Sequence, residues 1–475
     1  MSLLESVARP VPDLAPATAT ASEESSVTAP TAAPLGAQHD LGRLADLDRL
    51  VGPFGVVNGI DRLPNQPGEP GFPIYVAQIG DLSPLNDTVR ESTGGRSTRG
   101  QIDGAGGALD PEKASRLCLA EAIERYASCF VEEDQLIWAS SDELGEQAID
   151  LRRFPQCSET ELRNPRSIHA PVDTAAPLRW VRGWSLTHGR PVYVPAVSTW
   201  LHIPARTMAE RFTMPISTGC ATHTSLAQAV VNGLGEVIER DSIALTWLQR
   251  LALPQLEIDV DDERLAPFLE RYRTSHVRTR FFDATTDVGV PTFYSIDVTP
   301  ENRVLGQLVM CNTSLDPVDS VAKMLRESAS SRIAMQASRG RPDDVDEFTS
   351  VFHGASYMGQ PERIRDFDFL LESASSRRLS EIPSQLTGDA EGDLQGMVDR
   401  LARIGAEAVV VEITTAEARA AGFRVVRVIV PELMPLSFVH TGRYLAHPRL
   451  YDAPVAMGHP AADEAGINPL PQPFA

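Results

Sequence analysis

Two short stretches of this chain carry the same set of carboxylates. Residues 119–126 read LAEAIERY and residues 234–241 read LGEVIERD. Each holds Leu-small-Glu-x-Ile-Glu-Arg, which supplies Glu121 and Glu124 in one copy and Glu236 and Glu239 in the other. At 100° per residue, two helical glutamates three apart lie about 60° from each other, and Ser225, Asn232, Glu236 and Glu239 share a wedge of roughly 60°. The second helix is otherwise apolar almost all round, as a buried helix is. Burying four carboxylates without compensation is very costly. Mg²⁺ compensates such a group well, because it takes carboxylate oxygens and shares its octahedron with phosphate oxygens. A single Glu-x-x-Glu-Arg usually means a solvated face with a Glu–Arg pair. Two copies, each after a turn-rich stretch (DGAGGALDPE and STGCATHTS), point instead to two helices feeding one site.

The rest of the chain must position those helices. Runs such as PIYVAQIG, PVYVPAVS, PTFYSIDV, AEAVVVEIT and FRVVRVIVP read as strands, and they alternate with helical segments to the end. That interleaving predicts one large α/β (mixed α+β) domain over residues 41–475, with sheets flanked by helices. The Gly104–Gly107 stretch reads as a Gly-rich loop whose N–H groups, at Gly106 and Gly107, cradle phosphate. Residues 1–40, rich in Ala, Pro, Ser and Thr, read as a disordered leader.

Composition removes several functions. The net charge of −21 argues against general nucleic-acid binding, which needs a basic face. No apolar run is long enough to span a membrane, the N-terminus does not read as a signal peptide, and the cysteine usage leads to the expectation of a reducing cytoplasm. Five cysteines without CxxC pairing imply neither a zinc site nor a disulfide framework. Only Lys113 and Lys323 are lysines, and neither sits in a GxxxxGK[ST] loop, so a Walker A site is excluded.

The paired helices resemble the YcaO superfamily, whose first two signatures run roughly SAxxEAxER and SxxxAxxxGxxExxER. They stand here as Leu117 to Arg125 and Ser225 to Asp241, continued by Trp247-x-x-Arg250-x-x-x-Pro254 and by a third helix from Leu325 through Glu327 to Arg332. The resemblance implies that Glu121, Glu124, Glu236 and Glu239 hold Mg²⁺, and that Ser225, Asn232, Arg250, Glu327 and Arg332 contact ATP. This chain departs from the family where a GKG triplet is common, carrying Ala105-Gly106-Gly107, and where a Gln is usual, carrying Ser330.

The chain ends Asn468-Pro-Leu-Pro-Gln-Pro-Phe-Ala475, a PxPxP tail formed by Pro469, Pro471 and Pro473. By composition it is a stiff polyproline II segment. Within the family such a tail looks like the mark of azoline-forming cyclodehydratases of bacterial antibiotic-type peptides, where it would bring the Ala475 carboxylate to the reacting side chain. The tail and the Mg²⁺ ligands, on separate segments, are then expected to act independently. The resemblance further implies a ribosomal precursor peptide as substrate, an E1-like (ThiF-like) partner that binds its leader, a separate flavin dehydrogenase for oxidation to azoles, and a homodimer. A thioamide-forming relative or a non-catalytic peptide-binding scaffold are the other readings.

Overall fold

A computed structural model describes residues 50–337 and 340–474. The expected leader, residues 1–40, lies outside the described residues, and so does Ala475. All five strand-like runs form strands. The fourteen strands named here build three sheets. The first holds β1 (Gly59–Leu63), β2 (Ile74–Gln78) and β3 (Gly104–Gly107), antiparallel in that order. The second holds β8 (Gln255–Glu257), β9 (Arg278–Asp283), β10 (Thr292–Val298), β11 (Gln307–Thr313) and β12 (Ser376–Arg378), in the order β11-β10-β9-β8-β12. The third runs β4-β5-β13-β14-β7: β4 (Ile137–Ala139), β5 (Leu178–Ser185), β13 (Val409–Glu412), β14 (Arg424–Ile429) and β7 (Cys220–His223), with β6 (Arg190–Pro195) on the free side of β5.

Three helices organise the sheets. Strand β3 leads into α1 (Pro111–Ala127), β7 into α2 (Leu226–Gln249) and β11 into α3 (Pro317–Ala337). Asp110 caps α1 by accepting from the Lys113 N–H, with Pro111 in the first turn, and Ser225 caps α2 by accepting from the Gln228 N–H. Each leading strand is the edge of its own sheet. Helix α1 packs on β3 and β7, α2 on β7 and β11, and α3 on β11 and β3. The three strand–helix units therefore close into a ring, each helix leaning on its own strand and on the next.

The Gly104–Gly107 stretch is not a loop, which corrects the phosphate-cradle expectation for Gly106 and Gly107. It is strand β3 pressed flat on α1. A Cβ at Gly106 would stand 2.2 Å from the Cys118 N and 2.4 Å from the Ala114 O. At Gly107 it would face Ile74, Pro73 and the Arg326 side chain on α3. Glycine is required at position 106 because strand backbone touches helix backbone. Gly106→Ala must push α1 off its sheet, an overpacking cost of about 1–3 kcal/mol or more. Its melting temperature should fall by several degrees, measured by circular dichroism.

Candidate functional site

The ring brings the two Glu-x-x-Glu-Arg motifs face to face, and the two copies make matching bonds. The first glutamate of each accepts from the backbone behind it and from the arginine one turn on. Glu121 accepts from the Ala105 N–H (3.1 Å) and from Arg125 (3.2 Å). Glu236 accepts from the Gly219 N–H (2.9 Å) and from Arg240 (3.3 Å). Gly219 has φ +85, a conformation that suits glycine and turns this N–H toward the helix. The second glutamate of each copy reaches forward to the next unit. Glu124 faces the Thr222 N–H on β7, and Glu239 accepts from the Asn312 amide (3.2 Å) and the Thr313 N–H (3.3 Å) on β11. Arg240 also lies 3.6 Å from Glu239. Helix α3 adds Glu327, with Arg326 at 3.2 Å and Lys323 at 3.9 Å.

Burial makes this cluster electrostatically expensive. The Glu124 carboxyl is held well above the usual range by burial, with Arg125 opposing and Glu236 and Glu121 adding to it. Burial likewise pushes Glu239 up to about 7; Arg240 and Lys323 oppose, while Glu327 and Glu236 reinforce. Glu236 acts on both, so the carboxylates of α1 and α2 share one field.

That chemistry fits Mg²⁺: the donors are hard oxygens, and their negative charge exceeds what the neighbouring arginines neutralise comfortably. Among the described residues, no three His, Cys, Asp or Glu side chains converge into a ready-made cage. Magnesium ordinarily takes one or two carboxylates and completes its shell with water and substrate phosphates, so this arrangement suits an ion that arrives with a nucleotide.

Other expected residues are placed differently. Asn232 is exposed one turn before Glu236, on the same face, its Oδ1 accepting from Gln228. Ser225 is the cap of α2, eleven residues or roughly 16 Å before Glu236, and its hydroxyl is committed to the Gln228 N–H. Arg250 ends α2 in the left-handed region (φ 50), roughly 21 Å beyond Glu236 along the helix, and donates to Asn468 (3.3 Å). Arg332 is fully buried, paired with Glu69 and donating to the Thr299 hydroxyl. Ser225 is thus committed as a cap and Arg332 is held by Glu69 and Thr299, whereas Arg250 keeps an exposed guanidinium and the buried Arg332 Nη1 has no hydrogen-bond partner, so ATP contact by these residues stands as an expectation. Arg332→Met should strand the buried Glu69 carboxylate and cost about 3–5 kcal/mol of stability. Its ATP dissociation constant, titrated on the folded protein, should rise if Nη1 reaches the nucleotide; a wild-type value would confine Arg332 to Glu69 and Thr299.

The C-terminal tail lies along α2 and runs back toward the glutamates. Asn468 is buried; its N–H donates to the Leu248 O (2.9 Å) and its amide to the Trp247 O (3.1 Å). The Trp247 indole donates to the Leu470 O (3.2 Å). Pro469 is exposed, Pro471 and Pro473 are buried, and the Gln472 carbonyl packs against Gly354. The Phe474 ring then sits under the Arg240 guanidinium, 4.7 Å from its centre. The expectation that tail and carboxylates are independent is thereby corrected, because Arg240 touches both. Phe474 escaped sequence reasoning, since nothing in PxPxP says which arginine its last aromatic meets.

Comparison with known proteins agrees with this geometry. Residues 105–434 match the family described as YcaO cyclodehydratase, ATP- and Mg²⁺-binding. A protein of Methanothermobacter thermautotrophicus, named only as uncharacterized, is 28% identical over 338 residues, 69% of this chain and 81% of its own length. Among solved structures, a heterocyclase in complex with substrate and cofactor superposes with a TM-score of 0.74 at 24% identity, covering 90% of this chain. This chain spans 56% of that heterocyclase's length. YcaO from Methanopyrus kandleri, bound with AMPPCP and Mg²⁺, has a TM-score of 0.56 at 20% identity and covers 80% of this chain and 87% of its own. The family match covers most of the chain and contains all three ring helices, so this protein belongs to the YcaO cyclodehydratase family of enzymes, which bind ATP and Mg²⁺.

Proposed function

We propose that the chain is a cyclodehydratase that closes Cys, Ser or Thr side chains of a ribosomal precursor peptide onto the preceding amide, forming thiazoline or (methyl)oxazoline. The observation that carries this reading is the placement of the PxPxP tail, whose Phe474 stacks on the arginine shared by Glu236 and Glu239. A tail clamped along α2 brings Phe474 to Arg240, the arginine paired with Glu236 and Glu239.

Glu121, Glu124, Glu236 and Glu239 would hold Mg²⁺, and Asn232 and Glu327 would face the nucleotide. Bound Mg²⁺ supplies neutralisation of charge on the phosphates. Attack of a thiol or hydroxyl on the amide carbonyl leaves an oxygen that departs poorly. That attack closes the ring; transfer of the terminal phosphoryl group of ATP to the oxygen leaves ADP, and its loss as phosphate, with departure of the amide N–H proton, forms the C=N bond. The Ala475 carboxylate, carried just beyond Phe474, would orient or deprotonate the attacking side chain. An E1-like, leader-binding partner would deliver the peptide, and a flavin dehydrogenase would oxidise the product where azoles are made.

The test is mass spectrometry of candidate precursor peptides incubated with the protein, its partner, ATP and Mg²⁺. Loss of one water per ring is expected. Replacement of oxygen by sulfur would mark a thioamide former and overturn the azoline reading, as would ATP turnover with no change in peptide mass.

A further inference from the structure

Two of the 43 basic residues in this chain are lysines, and both have Arg326 on α3 as a charged neighbour. Lys323 stands on α3 one turn from Glu327, 3.9 Å from its carboxylate, and acts also on Glu239. Lys113 lies in the first turn of α1, where its charged neighbours are Arg326 and Asp319 on α3 and its own cap, Asp110. Arg326 connects the two. It bonds Glu327, acts on both lysines, and its side chain lies over Gly107 at the end of β3. Arg326 and Asp319 on α3 are thus charged neighbours of both lysines, and Arg326 and Lys323 both reach Glu327. Both lysines are half-exposed, so their amines are reachable, whereas Arg326 is largely covered. Lys113 and Arg326 are like charges held together at a partly desolvated seam. Asp319 and Asp110 offset them only in part, since burial and Arg326 together still lower the Lys113 pKa. A polyanion spanning the seam would complete the set.

Resting on the ATP reading above, we propose that Lys113, Lys323 and Arg326 form a cationic rim that grips the polyphosphate of the nucleotide opposite the glutamates.

Such scarcity of lysine makes the test direct. An acyl-phosphate derivative of ATP transfers its acyl group to an amine beside the phosphates, with release of ATP, and the acylated peptide is then identified by mass spectrometry. The native protein should be labelled at Lys113, Lys323 or both. Excess ATP or inorganic tripolyphosphate should suppress the labelling and AMP should not. In calorimetric titrations with Mg²⁺ and ATP, Lys113→Ala and Lys323→Ala should each weaken binding about tenfold, and the arginine replacements should restore it to within about twofold. ATP binding with neither lysine labelled, labelling that ATP does not suppress, or an unchanged affinity in the double alanine variant would overturn the rim while leaving the ATP reading intact. Absence of any ATP binding by the wild-type protein would overturn both.

Discussion

Glu121→Ala and Glu239→Ala should each abolish ATP turnover, lowering it by about a thousandfold or more, while the protein stays folded. A carboxylate that anchors a phosphate-bound cation contributes several kcal/mol of transition-state stabilisation, and about 4 kcal/mol corresponds to a thousandfold in rate. The two residues stand on different helices and bond different strands, Glu121 to β3 and Glu239 to β11. Equal loss from both is therefore the signature of one shared site. Wild-type turnover in either variant would refute it. Stability should move the other way at Glu239. Burial, with Glu327 and Glu236 adding to it, raises this carboxyl to about 7, above the ordinary glutamate value. A raised acid is comfortable when protonated, so its favourable contribution is present at low pH and is lost as pH rises through about 7. Without nucleotide, Glu239→Gln should therefore melt above the wild type at pH 8, and the gap should close toward pH 5. A variant that melts lower at pH 8 would show that the ionised carboxylate is supported by its Asn312 and Thr313 donors after all.

How far the sequence carries depends on whether a signal is local or spatial. The strands and the three ring helices were legible because their periodicity is written in adjacent residues, whereas the caps at Asp110 and Ser225 came only with the structure, Ser225 being expected as an ATP contact. The motif echo between Glu121 and Glu236 was legible too, and the matching bonds to Ala105 and Gly219 give it a structural cause. Gly106 misled because glycine serves phosphate loops and backbone contact alike, and only the 2.2 Å approach of the Cys118 N decides between them. The pairing of Arg332 with Glu69 was not legible, because Glu69 is remote in sequence and lies in a segment with no motif. The lysines were visible as a count, but their meeting through Arg326 depends on α3 closing the ring onto β3.

Extension of the chain by one residue after Ala475 should slow ring formation by about a hundredfold and leave ATP affinity unchanged. An added residue displaces the terminal carboxylate by about 3.5 Å, while catalytic groups tolerate roughly 0.5 Å and a 1 Å misplacement can cost a hundredfold. Phe474 keeps its place in that variant, so Arg240 still holds Glu236 and Glu239 as before. Phe474→Ala is different. It removes a cation–π contact of about 0.5–2 kcal/mol, loosening Arg240 and the tail end at once. Ring formation should fall, and the ATP dissociation constant should also shift, by severalfold. Truncation before Pro471 should resemble Phe474→Ala in its effect on ATP, because both leave Arg240 without its ring. The decisive measurement is ring formation by mass spectrometry beside ATP titration on the same three variants. Were the extended protein to cyclise peptide at the wild-type rate, the terminal carboxylate would have no part in the chemistry, and Phe474 would remain only as a clamp on Arg240.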